Sequence, residues 1–107
     1  MDIKKLSDVH GLTVEEFSGI LKVFVETAGI DIEKIRAAVG RGDALAARDA
    51  AHSLKGAAGN LGFMEMSDLA RTAEMNAGRN ELGKILPDLP ALIEHLEEIK
   101  TQLQEGG

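Results

Sequence analysis

Apolar residues recur every third or fourth position along most of the chain, with polar residues between them. This spacing is close to the period of an α-helix, so it predicts helices that each bury one face. Alternation of apolar and polar residues, the pattern of a half-buried strand, is not sustained anywhere. The sequence therefore predicts an all-α protein with almost no strand.

The first part of the chain is predicted to hold a polar lead and two helices. Residues 1–12 form the lead, for which we expect about one helical turn. Thr13 and Glu16 have the spacing of a capping box, which predicts a helix that begins directly after Thr13. Its apolar stripe consists of Phe17, Ile20, Leu21, Phe24 and Ala28. Gly29 is expected to interrupt this helix, and Asp31 to cap a second one.

Two further helices are predicted after this region. Asp43 is a suitable N-cap for a helix that runs to about Leu61. Another helix is expected over residues 64–77, because Gly78 follows its last apolar position.

The last helix has the most regular pattern in the chain. Pro87 excludes a regular helix over residues 79–88, although a short turn fits there. From Asp88 onward the apolar positions step by three and four, and Pro90 is tolerated in the first turn. These positions are Leu89, Leu92, Leu96, Ile99 and Leu103.

Short connections that contain glycine favour antiparallel packing of neighbouring helices. We therefore expect an up-and-down antiparallel four-helix bundle with an additional N-terminal helical segment. Residues 1–107 are expected to form one domain, with a core over about 13–104. The last helix would look the same in sequence if it paired with a copy of itself, so a homodimer stays an alternative to the expected monomer.

Composition narrows the class of function. The chain has 18 acidic and 12 basic residues, a formal net charge of −6, and no basic run. It is therefore poorly suited to bind nucleic acid or anionic lipid, and three Phe are too few for base stacking. The absence of Cys excludes disulfides and thiolate chemistry. With no apolar run of about 18 residues and no export leader, we expect a cytoplasmic protein without membrane contact.

The third predicted helix carries an unusual outer face. At about 100° per residue, its core stripe falls on one side of the helix. This stripe is Ala46, Ala50, Leu54, Ala57 and Leu61. His52 lies roughly opposite the stripe, with Arg48 one turn before it and Lys55 one turn after it. Gly56 and Gly59 share the same outer face.

An imidazole beside two cations and two glycines favours a docking surface with a nucleophile at its centre. Glycine inside a helix costs about 1 kcal/mol relative to alanine, but it lets another molecule approach the backbone closely. A neighbouring cation favours the neutral, nucleophilic imidazole and would balance a phosphoryl group on the ring. A single exposed His is most often an ordinary surface residue, so the pattern alone leaves that alternative open.

The run AHSLKGAAGNLG, residues 51–62, resembles the phosphorylation-site motif of histidine-containing phosphotransfer (HPt) domains. That motif is His-x-Leu-Lys-Gly followed by small residues and a Gly near the helix end. The resemblance covers residues 13–104, and its flanks include Gly42-Asp43, Leu69-Ala70 and Glu74. The sequence departs from the family pattern at Gly59, Pro87 and Pro90. The resemblance implies an all-helical bundle.

The resemblance also implies that His52 accepts a phosphoryl group, with Lys55 and Gly56 as its motif neighbours. HPt domains relay phosphoryl groups between the aspartates of response-regulator receiver domains, and several work with a hybrid sensor histidine kinase. The receiver would supply Mg²⁺, so this chain is expected to need no cofactor or metal of its own. We expect phosphorylation at Nε2, the more projecting ring nitrogen, with charge stabilisation by Lys55 and Arg48.

The fourth predicted helix offers a candidate partner surface. Its buried face is expected to be Leu69, Ala70, Ala73 and Ala77. Its outer stripe is expected to be Met64, Asp68, Arg71 and Met75. Methionine side chains adapt to different partners, so we expect this stripe to dock receivers together with Gly56 and Gly59.

The motifs argue against a nucleotide-binding site and against a metal site, and they leave one other function open. Residues 56–62 lack the Gly-Lys-Ser/Thr ending of a nucleotide-binding loop and follow no strand, so we expect no ATP site and no autonomous kinase activity. His10, His52 and His95 lie on different predicted elements without metal-ligand spacing. The open alternative is a helical interaction module that docks partners without being phosphorylated.

Overall fold

The computed structural model describes residues 1–106, and its architecture is an antiparallel helical bundle with no strand in that part of the chain. The helices are α1 (Ile3–Val9), α2 (Val14–Gly40), α3 (Ala44–Asn60), α4 (Met64–Gly78) and α5 (Leu89–Gly106). The four long helices α2 to α5 form the bundle, and α1 packs on α2. The predicted all-α bundle with an extra N-terminal helix is confirmed.

Helix α2 is continuous, so the predicted break at Gly29 is wrong. The capping box at its start is present, with Thr13 Oγ1 accepting from Glu16 N at 3.1 Å and Glu16 Oε1 accepting from Thr13 N at 2.9 Å. Ala28 and Ile32 are buried on either side of Gly29. Burial of this face outweighs the cost of about 1 kcal/mol for one glycine. Asp31 is therefore a buried residue within α2 and not an N-cap.

The turns on either side of α3 follow the predicted signals. Asp43 caps the helix, and its Oδ1 accepts a hydrogen bond from Ala46 N at 3.0 Å. Gly42 and Gly62 have φ of 73° and 83°, a left-handed conformation that favours glycine. Both connections are short, so α2, α3 and α4 run antiparallel as neighbours.

The segment between α4 and α5 consists of two 3₁₀ turns, Leu82–Lys84 and Leu86–Asp88. Pro87 lies in the second turn, which agrees with its predicted exclusion of a regular helix. Ile85 between the turns is fully buried and fixes the segment to the core. Helix α5 then begins at Leu89, and its four leading apolar positions through Ile99 are buried as predicted.

The buried face of α3 differs from the predicted stripe because α3 packs between two helices, α2 and α4. The buried positions are Ala47, Ala50, Ala51, Leu54 and Ala58. Ala46, Ala57 and Leu61 are only half-buried. On α2, Ile20 is exposed and not part of the core stripe. On α4, Leu69 is half-buried, while Met66 and Ser67 are buried. The buried and half-buried positions of α3 together cover a wider face than the predicted stripe, and His52 still points outward.

Candidate functional site

His52 projects from the outer face of α3 near the middle of the bundle. Its side chain is 68% exposed, whereas Ala51 and Leu54 beside it are fully buried. The buried neighbours fix the rotation of α3, and this rotation presents the imidazole to solvent. The predicted exposure of His52 is therefore confirmed.

The carboxylate of Glu74 on α4 links His52 to Lys55. Its Oε2 lies 2.6 Å from His52 Nδ1, and its Oε1 accepts a hydrogen bond from Lys55 Nζ at 2.7 Å. An ionised carboxylate has no proton to donate, so Nδ1 of the neutral ring must carry the hydrogen of this bond. The lone pair of the ring is then on Nε2, the nitrogen that does not contact Glu74.

The environment of Glu74 favours its ionised form. The hydrogen bond from Lys55 is the largest cause that lowers the pKa of this carboxyl, and the hydrogen bond to His52 acts in the same direction. Partial burial opposes them but does not reverse the shift. The side chain is only 18% exposed, so the carboxylate is held between two helices and not free in solvent.

Lys55 is bound to Glu74, and so it is not an isolated cation beside the imidazole. Its effect on the ring passes through a carboxylate that both groups share. The backbone carbonyl of Lys55 also accepts a hydrogen bond from Ser67 Oγ of α4 at 3.1 Å. Side chain and main chain of Lys55 therefore both fix α3 to α4.

The other predicted residues of α3 occupy different environments. Arg48 is exposed one turn before His52. A Cβ at Gly56 would meet no atom within 4 Å, which leaves an open surface next to the imidazole. A Cβ at Gly59 would lie 3.3 Å from Ser67 Oγ, so this glycine also allows the close packing of α4. The packing of α4 against Gly59 is not predicted from the sequence.

The outer stripe of α4 is exposed in the structure. Met64 and Met75 are 57% and 49% exposed, and Asp68 and Arg71 form an ion pair between them. Met75 directly follows Glu74, so one end of the stripe adjoins the imidazole site.

Glu74 is the residue of the site whose contacts were not predicted from the sequence. It belonged to the resemblance as a flank, without a role, because the register between α3 and α4 is not visible in either helix alone. A second polar contact on the opposite side of α3 was also missed. There Ser53 Oγ donates to Asp31 Oδ2 of α2 at 2.9 Å.

Other kinds of site find little support in the described residues. Within residues 1–106, no three His, Asp or Glu side chains converge as metal ligands. None of the helices in that range combines the length and apolarity needed to cross a bilayer.

Comparison with known proteins adds to this geometry. The family model described as "Hpt domain" matches residues 19–106. No curated protein matches the sequence. The crystal structure of histidine-containing phosphotransfer protein B from Pseudomonas aeruginosa PAO1 is similar, with a TM-score of 0.84 and 24% identity. The alignment covers 99% of this chain and 92% of the other, and at this identity it shows a shared fold. The family match includes the imidazole site and most of the bundle, and the chain therefore belongs to the Hpt domain family, the histidine phosphotransfer modules of phosphorelays.

Proposed function

We propose that this protein accepts a phosphoryl group from a receiver-domain aspartate on Nε2 of His52 and passes it to another receiver. The observation that carries the proposal is the hydrogen bond between His52 Nδ1 and Glu74 Oε2. This bond selects the tautomer with its lone pair on Nε2, on an imidazole that is mostly exposed. A nucleophile of this kind needs no base to remove a proton before it attacks.

The transfer balances without any further reactant. The bond from phosphorus to the aspartate oxygen of the receiver breaks, and that aspartate leaves as a carboxylate. A bond from phosphorus to Nε2 forms with the lone pair of the ring. Nδ1 keeps its hydrogen, so the phosphorylated ring becomes an imidazolium whose positive charge lies next to the Glu74 carboxylate. The reverse sequence of steps returns the phosphoryl group to an aspartate.

Glu74 and Lys55 act as positioning residues in this proposal. Glu74 orients the ring and stabilises the charge that develops on it, as a carboxylate does for a metal-bound or catalytic His. Lys55 lowers the pKa of Glu74 and so favours its ionised form. Exposed Arg48 contributes positive charge near the incoming phosphoryl group.

Receiver docking would use the surfaces next to the imidazole. Gly56 leaves open space for close approach of a partner, and Gly59 lies one turn further along α3. The exposed stripe of α4 would extend this contact, with Met64, Asp68, Arg71 and Met75. Mg²⁺ would come with the receiver, and an upstream hybrid sensor kinase would supply the phosphoryl group. We expect the protein to act as a cytoplasmic monomer.

The test is phosphoryl transfer from a panel of phosphorylated receiver domains to the wild type and to His52→Gln. We expect acid-labile, alkali-stable label on the wild type and none on the variant, with unchanged helical circular dichroism. Label that persists on His52→Gln would assign the acceptor to another residue. A wild type that binds receivers but takes no label from any of them would favour the docking module that is never phosphorylated.

A further inference from the structure

A second feature of the surface lies on the side of α3 opposite to Glu74. It is a cleft of about 530 Å³ between α2 and α3. The residues that matter in its lining are Asp31 and Lys34 of α2, and Asp49 and Ser53 of α3. Asp49 lies one turn before His52 and Ser53 directly follows it, so a partner that covers the imidazole also covers the mouth of the cleft.

Asp31 is a buried carboxylate that lacks a positive partner. It is 8% exposed, and its Oδ2 accepts a hydrogen bond from Ser53. Within residues 1–106, no Lys, Arg or His nitrogen lies within 4.0 Å of it. Aspartate side chains this deeply buried are usually paired with a cation, so the missing cation makes Asp31 a candidate for contact with a partner.

The second oxygen of Asp31 faces the cleft. Oδ1 has no hydrogen-bond partner in the described chain, in contrast to Oδ2. Within residues 1–106, every side-chain oxygen or nitrogen that is closed off from solvent has a hydrogen-bond partner. Oδ1 must therefore keep contact with solvent, and the cleft that Asp31 lines provides it. The floor of the cleft thus presents a carboxylate oxygen that has no hydrogen-bond partner within residues 1–106.

The rest of the lining selects the charge of the occupant. Asp49 contributes a carboxylate from α3, and it forms no ion pair within residues 1–106. Glu33 of α2 adds a third carboxylate, which is paired with Arg36. Arg41 also lines the cleft, but its guanidinium lies 3.5 Å from Asp43. Lys34 is the cation that competes for the floor, from an exposed position one turn after Asp31. Carboxylates on both walls repel an anion and attract a flexible cation.

We propose that the cleft between α2 and α3 is a socket for a lysine or arginine side chain of the receiver domain that meets His52. This inference rests on the proposed phosphotransfer function, because it takes its occupant from the receiver. The cationic side chain would bind Oδ1 of Asp31 at the floor and Asp49 at the wall. Receivers that present a cation at this position would be favoured over receivers that do not.

Asp31→Asn is the sharpest test, because the amide oxygen preserves the hydrogen bond from Ser53 and removes only the charge. The variant should bind a receiver that labels the wild type about tenfold more weakly by isothermal titration calorimetry, with a shallower salt dependence. The free variant should melt at the same temperature as the wild type, since the hydrogen bond from Ser53 is retained. Lys34→Ala should bind more tightly, because the competing cation is removed. Glu94→Gln, at an exposed position of α5, has the same charge change and serves as the control.

Each outcome decides the inference. If Asp31→Asn and Glu94→Gln bind the receiver with equal affinity, the socket is overturned. Labelling of His52 in the same proteins would leave the proposed function standing. Weaker binding of Asp31→Asn together with a lower melting temperature would show that the carboxylate serves folding, and would also overturn it. If no receiver labels or binds the wild type, the proposed function fails and the socket fails with it.

Discussion

Helix α3 is tied to its neighbours by a carboxylate on each side of His52, and the two carboxylates are used differently. On the α4 side, both oxygens of Glu74 are engaged, one by Lys55 and one by His52. On the α2 side, only Oδ2 of Asp31 is engaged, and its donor is a neutral hydroxyl. Within residues 1–106, both oxygens of the carboxylate on the α4 side have a partner, whereas one oxygen of the carboxylate on the α2 side has none.

This difference separates two tasks at one site. A reacting group must be held before the partner arrives, so its hydrogen bonds have to be complete in the free protein. A recognition surface instead needs unsatisfied groups that the correct partner completes. The Glu74 network fits the first task, and the cleft at Asp31 fits the second.

The largest effect is expected from Glu74→Ala, which removes the carboxylate that binds both His52 and Lys55. Loss of the acceptor at Nδ1 frees the ring to adopt either tautomer and either orientation, so phosphorylation by a receiver should slow about tenfold or more. Nitrogen-15 chemical shifts of the His52 ring at alkaline pH should show the Nδ1–H tautomer dominant in the wild type and no longer dominant in the variant. Glu94→Ala, at an exposed position of α5, should leave both measurements unchanged. An unaltered tautomer in Glu74→Ala would refute the positioning role.

A smaller effect is expected in stability, where Glu74 should make about 1 kcal/mol of the free energy of unfolding depend on pH. The Lys55 hydrogen bond holds the pKa of Glu74 below its ordinary value of 4.5, so folding favours the ionised carboxylate. This contribution is fully present above the unfolded value and is lost as the pH falls through the lower pKa of the folded protein. Urea unfolding should show the wild type more stable than Glu74→Gln at neutral pH, with a gap that closes in strong acid. A gap that stays constant with pH would contradict the assignment.

Local signals in the sequence were sufficient for the helix starts at Thr13 and Asp43, because a cap involves residues within a single turn. They were insufficient at Gly29, where burial of the helix face against other elements outweighs a local glycine penalty. The exposure of His52 followed from the position of the core opposite to it. The partners of Glu74 and Asp31 are 19 or 22 residues away in sequence and lie on neighbouring helices. These contacts depend on the register between two helices, which no single helix encodes.

The smallest effect is expected from alanine at the two outer glycines of α3. At Gly56 a Cβ would meet no atom within 4 Å, so Gly56→Ala should gain helix propensity worth about 1 kcal/mol or less. At Gly59 a Cβ would lie 3.3 Å from Ser67 Oγ, the hydroxyl that donates to the carbonyl of Lys55. Displacement of that hydroxyl should offset the gain, so Gly59→Ala should melt below Gly56→Ala. Equal melting temperatures would mean that the packing of α4 against Gly59 adapts as freely as the open surface at Gly56. The α4 and α2 sides of α3 would then differ only in how their carboxylates are paired.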